Sequence, residues 1–132
     1  MTKNEHFYAI GRRKSATAKV QISSGDGQVI INNKPANEYF KDSRYLLNHL
    51  NRPFIALDIA NKYSINVLVK GGGSTGQIDA ITLGLAKCLV QLNPDYKQTL
   101  KRATLLKRDP REKERKKFGL LRARKKRQFT KR

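Results

Sequence analysis

Apolar and polar positions alternate with a period of two at two places in this chain. Over residues 17–22, Ala18, Val20 and Ile22 share one face and Thr17, Lys19 and Gln21 the other; over residues 64–70, Ile65, Val67 and Val69 form a similar set. Successive side chains of a strand point to opposite sides, so both segments predict half-buried strands. A shorter apolar run at residues 7–10 comes first and is interrupted by Gly11-Arg12-Arg13-Lys14-Ser15. The cluster Ser23-Ser24-Gly25-Asp26-Gly27 predicts a turn, with residues 28–32 returning as the hairpin partner of 17–22.

Helical periodicity fills the rest of the first hundred residues. Short helices are expected at 37–41, at 44–50 behind a Ser43 cap with Leu46, Leu47 and Leu50 on one face, and at 54–61 behind Pro53. The longest is expected at 77–92. At 100° per residue, Ile78, Ile81, Leu85, Cys88, Leu89 and Leu92 fall in one arc, widened by Leu83, Ala86 and Val90, which leaves only Gln77, Lys87 and Gln91 wet. A helix so broadly apolar should lie between the sheet and another helix. Asn93-Pro94-Asp95 signals one more helix to about residue 103, after which the periodicity stops. Strands first, then short helices, a strand and a long helix describe an α+β body over residues 1–106, with residues 107–132 as an appendage.

Charge changes this picture. The chain holds 29 Lys and Arg against 10 Asp and Glu, a net charge of +19. Residues 101–132 hold 16 of these cations and 3 of the acids, so the body is moderately basic and the appendage is a polycation. Residues 115–132 alone carry ten cations and no acid. Their sparse apolar groups cannot offset an ordering cost of about 1–2 kcal/mol per residue, so this stretch is expected to be disordered alone in water. The asymmetry points first to nucleic acid, then to an anionic membrane surface or heparin-like polymers. The single Cys88 excludes an internal disulfide, and no apolar run approaches the roughly 20 residues of a membrane span, so no membrane partner is expected. Residues 1–6 lack an apolar secretory core, and a cytosolic or organellar setting is expected.

Three stretches carry candidate chemistry. Arg12, Arg13, Lys14 and Ser15 place adjacent cations and a hydroxyl after Gly11. They suit a phosphate clamp, the alternative being a solvated bulge or loop. Lys70, Gly71, Gly72, Gly73, Gly76 and Gln77 lie between a strand and a helix, where backbone N–H groups and the helix dipole favour a phosphate. Gly71, Gly73 and Gly76 fit the spacing of a dinucleotide fingerprint, but the acid expected about 20 positions on has only Asp95 to offer, and no Gly-Lys-Ser/Thr follows for a nucleotide loop. A purely structural turn and a nucleic-acid phosphate contact are the stronger readings. In the appendage, Arg111, Arg115, Lys116, Lys117, Phe118, Gly119, Arg122, Arg124, Lys125, Lys126 and Arg127 mix bidentate guanidinium forks with an aromatic ring, chemistry that grips phosphate and stacks on bases. Extended, the roughly 22 residues from Arg111 reach about 70 Å. His6 and His49 are isolated, Cys88 sits on the apolar helix face, and no carboxylate pair or nucleophile–base set stands out. No metal, cofactor or catalysis is expected.

These motifs carry a resemblance. Gly11-Arg12-Arg13-Lys14-Ser15-Ala16, then Val69 to Ile81 running into Gly84-Leu85-Ala86-Lys87, then Arg108-Asp109-Pro110-Arg111, Glu114 to Gly119, Ala123-Arg124 and Gln128-Phe129-Thr130-Lys131-Arg132 occur in an order that resembles the small-subunit ribosomal protein nine family, in its bacterial form. The resemblance implies a ribosomal protein S5 domain 2-like fold with a left-handed crossover and a place in the head of the small subunit, on its ribosomal RNA and beside other head proteins. It also implies a tail that threads to the peptidyl-site tRNA. Gln128, Phe129, Thr130, Lys131 and Arg132 would then form the tip, near the anticodon stem-loop. Two positions depart from the common pattern. Thr130 stands where Ser is frequent, which keeps the hydroxyl. Lys126-Arg127 replaces a proline-containing pair, which frees one φ angle. A histone-like protein that binds nucleic acid by charge alone is the alternative from another class, and a nucleotide-dependent enzyme using the glycine run is a third.

Overall fold

The structure, a computed structural model, describes residues 6–59 and 63–108. The expectations placed on residues 109–132, from Arg111 to the tip at Arg132, lie outside the described residues, as do residues 60 and 61 of the third short helix.

Five strands form one sheet, in the order β1-β2-β5-β3-β4. They are β1 (His6–Arg13), β2 (Ala16–Ser24), β3 (Val29–Ile31), β4 (Lys34–Pro35) and β5 (Tyr63–Lys70). The inner face carries the alternating set read from the sequence: Ala18, Val20, Ile22, Ile65, Val67 and Val69 are all buried. The helices are α1 (Ala36–Tyr39), α2 (Arg44–Leu50), α3 (Arg52–Leu57), α4 (Ser74–Leu92) and α5 (Tyr96–Arg102). α4 lies across β1 and β2, with α2, α3 and α5 against its other side. Burying its Ile78, Ile81, Leu85, Cys88 and Leu89 completes the core. Among the described residues, no helix is long and apolar enough to cross a membrane.

Two expectations about the strands are corrected. β1 is not interrupted at Gly11 but runs on to Arg13, and it turns into β2 through the two residues Lys14-Ser15. Residues 28–32 are not the hairpin partner of 17–22. β2 is already flanked by antiparallel β1 and β5, and β3 pairs in parallel with the far edge of β5. The chain crosses the end of β5 to get there: a Cβ on Gly25 would stand 2.5 Å from that of Ser64, and the Ile65 amide donates to the Gln28 carbonyl at 2.9 Å. β3 then forms its own hairpin with β4 through Asn32-Asn33, both in the left-handed region (φ 50° and 68°), as a two-residue hairpin turn of the right twist demands.

Helix boundaries follow their caps. The Ser43 hydroxyl accepts from the Leu46 amide at 3.5 Å at the start of α2. α3 stops at Leu57, short of the expected end, because Asp58 turns left-handed (φ 53°) and the Asp58 and Ile59 amides close back onto Ile55 and Phe54. α4 begins three residues before the expected start. Gly73 is extended (φ −97°, ψ 178°) and accepts from the Gln77 amide at 2.9 Å, so Ser74 to Gly76 already form the first turn.

Candidate nucleic-acid interface

Register brings the first two candidate stretches together. Arg12 pairs with Thr17 and Thr17 with Lys70, so the β1–β2 hairpin tip and the glycine run leave the sheet at the same end. They touch: a Cβ on Gly71 would stand 2.5 Å from the Ser15 carbonyl oxygen, and one on Gly72 3.1 Å from the Ala16 Cβ. Gly71 and Gly72 also have left-handed φ values of 77° and 68°, so both the bend and the contact require glycine. Gly73 has open space where its Cβ would be, and Gly76 only ordinary contacts with Arg13 and Ala16.

Gln77 braces this loop. Its side-chain amide donates to the Gly71 carbonyl at 3.1 Å, and its carbonyl accepts from the Tyr39 hydroxyl at 2.7 Å. The α4 N-terminus beyond it has no side-chain cap and no acid in its first turn, so within that turn nothing offsets its positive dipole end. Lys14, Ser15, Arg12 and Lys70 lie at this same end of the sheet and are all exposed. Lys14 holds the tip with φ 53°, a conformation that ordinarily costs a lysine about 1–2 kcal/mol.

Arg13 is placed differently. Its side chain is only 12% exposed, and Nε meets the Asp79 carboxylate at 3.4 Å. The other Asp79 oxygen lies 3.5 Å from His49 Nε2. That nitrogen also receives the Arg52 guanidinium at 2.8 Å. Guanidinium can only donate, so Nε2 is the acceptor and the imidazole proton sits on Nδ1. Burial lowers the His49 pKa below its ordinary 6.5, Asp79 works against this, and Arg52 adds to it. Arg12, Arg13, Arg52 and Lys107 line a hollow of about 320 Å³ at this point, with Asp79 as its acid. Nothing in the sequence marked His49, Arg52 and Asp79 as neighbours, since they come from α2, α3 and α4. The charge run at residues 12–14 was the only signal.

Cys88 is a core residue. Its thiol donates to the Val20 carbonyl at 3.4 Å, and burial pushes its pKa up to about 12.

Among the described residues, an α+β sheet whose end gathers exposed cations, an open glycine loop and an uncapped helix start defines a class of small basic protein with its cations and helix start at one end. Residues 11–132 match the family described as ribosomal protein S9/S16, and the chain belongs to it. It is 48% identical over 126 residues to the small ribosomal subunit protein uS9 of Mycoplasmoides gallisepticum, covering 96% of each chain. It is 46% identical to the protein of that name from Trichormus variabilis, over 96% of this chain and 91% of the other. To small ribosomal subunit protein uS9c of Emiliania huxleyi it is 44% identical, over 96% of each. These likenesses support a structural, ribosome-associated role, and the family implies RNA binding and a part in translation.

Proposed function

We propose that this protein is a non-catalytic constituent of the small-subunit head whose body docks on ribosomal RNA and whose tail reaches the peptidyl-site tRNA. The observation that carries the docking role is the convergence of the Lys14-Ser15 tip and the Lys70–Gly73 loop at one end of the sheet. Exposed cations, backbone N–H groups and a helix start in one place suit an RNA backbone phosphate. In this reading the body is residues 1–106 in an S5 domain 2-like arrangement. The parallel β3–β5 pair, with β4 and α1–α3 between the two strands in the chain, supports that arrangement.

Residues 107–132 form the tail. Arg111, Arg115, Lys116, Lys117, Phe118, Gly119, Arg122, Arg124, Lys125, Lys126 and Arg127 neutralise crowded RNA, while Gln128, Phe129, Thr130, Lys131 and Arg132 meet the anticodon stem-loop backbone. Neighbouring head proteins complete the surroundings, in the cytoplasm.

Deleting residues 128–132 tests the tail. Assembly into small subunits is expected to survive, while peptidyl-site tRNA affinity falls by about 1–2 kcal/mol, the size of charge-assisted contacts open to solvent. Unchanged tRNA binding and reading-frame fidelity would remove the tip's role. Competition at about 150 mM salt tests the body. Binding ribosomal RNA no better than duplex DNA would return the protein to the charge-only class.

A further inference from the structure

Among the described residues, no helix lies on the outer face of the sheet, and its side chains fall into rows by register. Arg12, Thr17 and Lys70 make a cationic row at the hairpin end. Ile10, Lys19 and Leu68 make the next, and Tyr8, Gln21 and Asn66 the third. None of these residues is acidic. Tyr8 is 63% exposed, Leu68 55% and Ile10 43%. Single exposed apolar residues are ordinary, but Tyr8 and Ile10 are neighbours on β1, Leu68 stands across Lys19 on β5, and all three line one groove of about 840 Å³. Lys87 closes its rim, reaching from α4 to the Ile10 carbonyl at 3.2 Å on the free edge of β1.

We infer that this open face is a second RNA-binding surface, one that takes unpaired bases rather than duplex backbone. The inference rests on the RNA-docking reading above and says which part of an RNA each row meets. The Tyr8 ring offers a π-face for stacking, Ile10 and Leu68 pack against a neighbouring base, and the Gln21 and Asn66 amides match the donors and acceptors of base edges. Arg12, Lys19 and Lys70 lie one or two rows away, where the phosphates linking such bases would run. Charge selects the occupant. A second copy of this chain would bring the same positive face, and an apolar protein strand would leave these cations without partners. A polyanion with apolar faces answers both features.

The test uses the full chain and a transcript of small-subunit ribosomal RNA, with affinity measured at several salt concentrations. Tyr8→Ala and Leu68→Ser, both at exposed positions and checked by thermal melting, are expected to weaken binding by about tenfold each without changing the salt slope. Lys14→Gln, at the hairpin tip, is expected to flatten that slope. Transcript containing 4-thiouridine is expected to crosslink to the β1 peptide that carries Tyr8. Wild-type affinity in both variants, with no such crosslink, would overturn the inference, and loss of a neighbouring subunit protein alone would reassign the face to protein. If the wild-type chain itself shows no preference for the transcript over duplex DNA, the docking reading fails as well, and that result is distinct.

Discussion

Gly11 in β1 and Gly84 in α4 meet backbone to backbone: a Cβ built on Gly11 would stand 2.6 Å from the Gly84 amide nitrogen and would overlap the Ala80 carbonyl oxygen. From the other side, a Cβ on Gly84 would stand 3.2 Å from the Gly11 nitrogen and 2.7 Å from Val20 Cγ2. The two glycines let α4 settle onto the sheet, which in turn sets where its uncapped start lies relative to the hairpin tip. Gly11 therefore faces the core, and the close approach it permits is to a helix rather than to a phosphate.

Gly11→Ala and Gly84→Ala should destabilise unequally. The methyl on Gly11 meets only backbone, which cannot rotate away, so a loss of about 3 kcal/mol or more is expected, the upper end of overpacking costs. The methyl on Gly84 meets a valine methyl group and gains about 1 kcal/mol of helix propensity, so its net cost should be smaller. Adding Val20→Ala to Gly84→Ala should recover part of that cost as a coupling in a double-mutant cycle. Denaturant unfolding measures these three variants and Val20→Ala alone, and equal losses at the two glycines would show that the contact is not as tight as the geometry requires.

Asn32 joins the sheet with its side chain. Its amide oxygen accepts from the Val69 N–H at 2.9 Å, and its amide nitrogen donates to the Val69 carbonyl at 3.0 Å. Its own backbone N–H donates to Val67 at 2.9 Å. The side chain thus extends the parallel β3–β5 ladder beyond the point where the backbone turns away. Asn32→Ala removes both side-chain bonds and leaves a β-carbon residue at φ 50°. A loss of about 2–3 kcal/mol is expected by chemical denaturation. Asn32→Gly relieves the turn but not the bonds, so it should cost less than alanine.

What the sequence disclosed and what it hid divide along one physical line. Local pattern was sufficient for the inner faces of β2 and β5, for the Ser43 cap and for the apolar faces of α4. Each depends on neighbours within a few residues. The partner of β3 was not legible, because the chain's route over β5 depends on Gly25 meeting Ser64, thirty-nine positions away. Gly11 reads as a break in the first strand for the same reason, since the backbone that requires it is that of Ala80 and Gly84 in α4. At the candidate site the cations and glycines stood out by composition, but their meeting depends on the Thr17–Lys70 register. The ion pair that holds Arg13 was hidden too, because Asp79 lies 66 positions away.

Lys14→Gly should separate folding from binding. Glycine relieves a left-handed lysine at a cost of greater freedom in the unfolded chain, so the net gain in stability should be at most about 1 kcal/mol. The same change removes one cation from the hairpin tip. Affinity for ribosomal RNA should fall, and the slope of log K against log salt should shrink by about 0.7–0.9 if that cation neutralises one phosphate. Melting temperature and salt-dependent binding, measured on one preparation, read the two effects. A more stable variant with unchanged RNA binding would remove Lys14 from the interface.

Stability should fall on mild acidification, with His49 as a named contributor. Its folded pKa lies below 6.5, first through burial, with Arg52 adding to the effect and Asp79 opposing it. Above pH 6.5 both the folded and the unfolded chain carry it neutral, and its contribution is fully present. As pH drops below 6.5 the unfolded chain takes up the proton first, so stability is lost down through the folded value. The charges on the two neighbouring groups predict the variants. Arg52→Gln removes a cation that lowers the pKa and should flatten the fall, whereas Asp79→Asn removes the anion that raises it and should steepen the fall. His49→Gln should abolish this component. Unfolding midpoints compared between pH 7.5 and pH 5.5 for the four proteins decide the matter, and a wild-type slope retained in His49→Gln would assign it to another group.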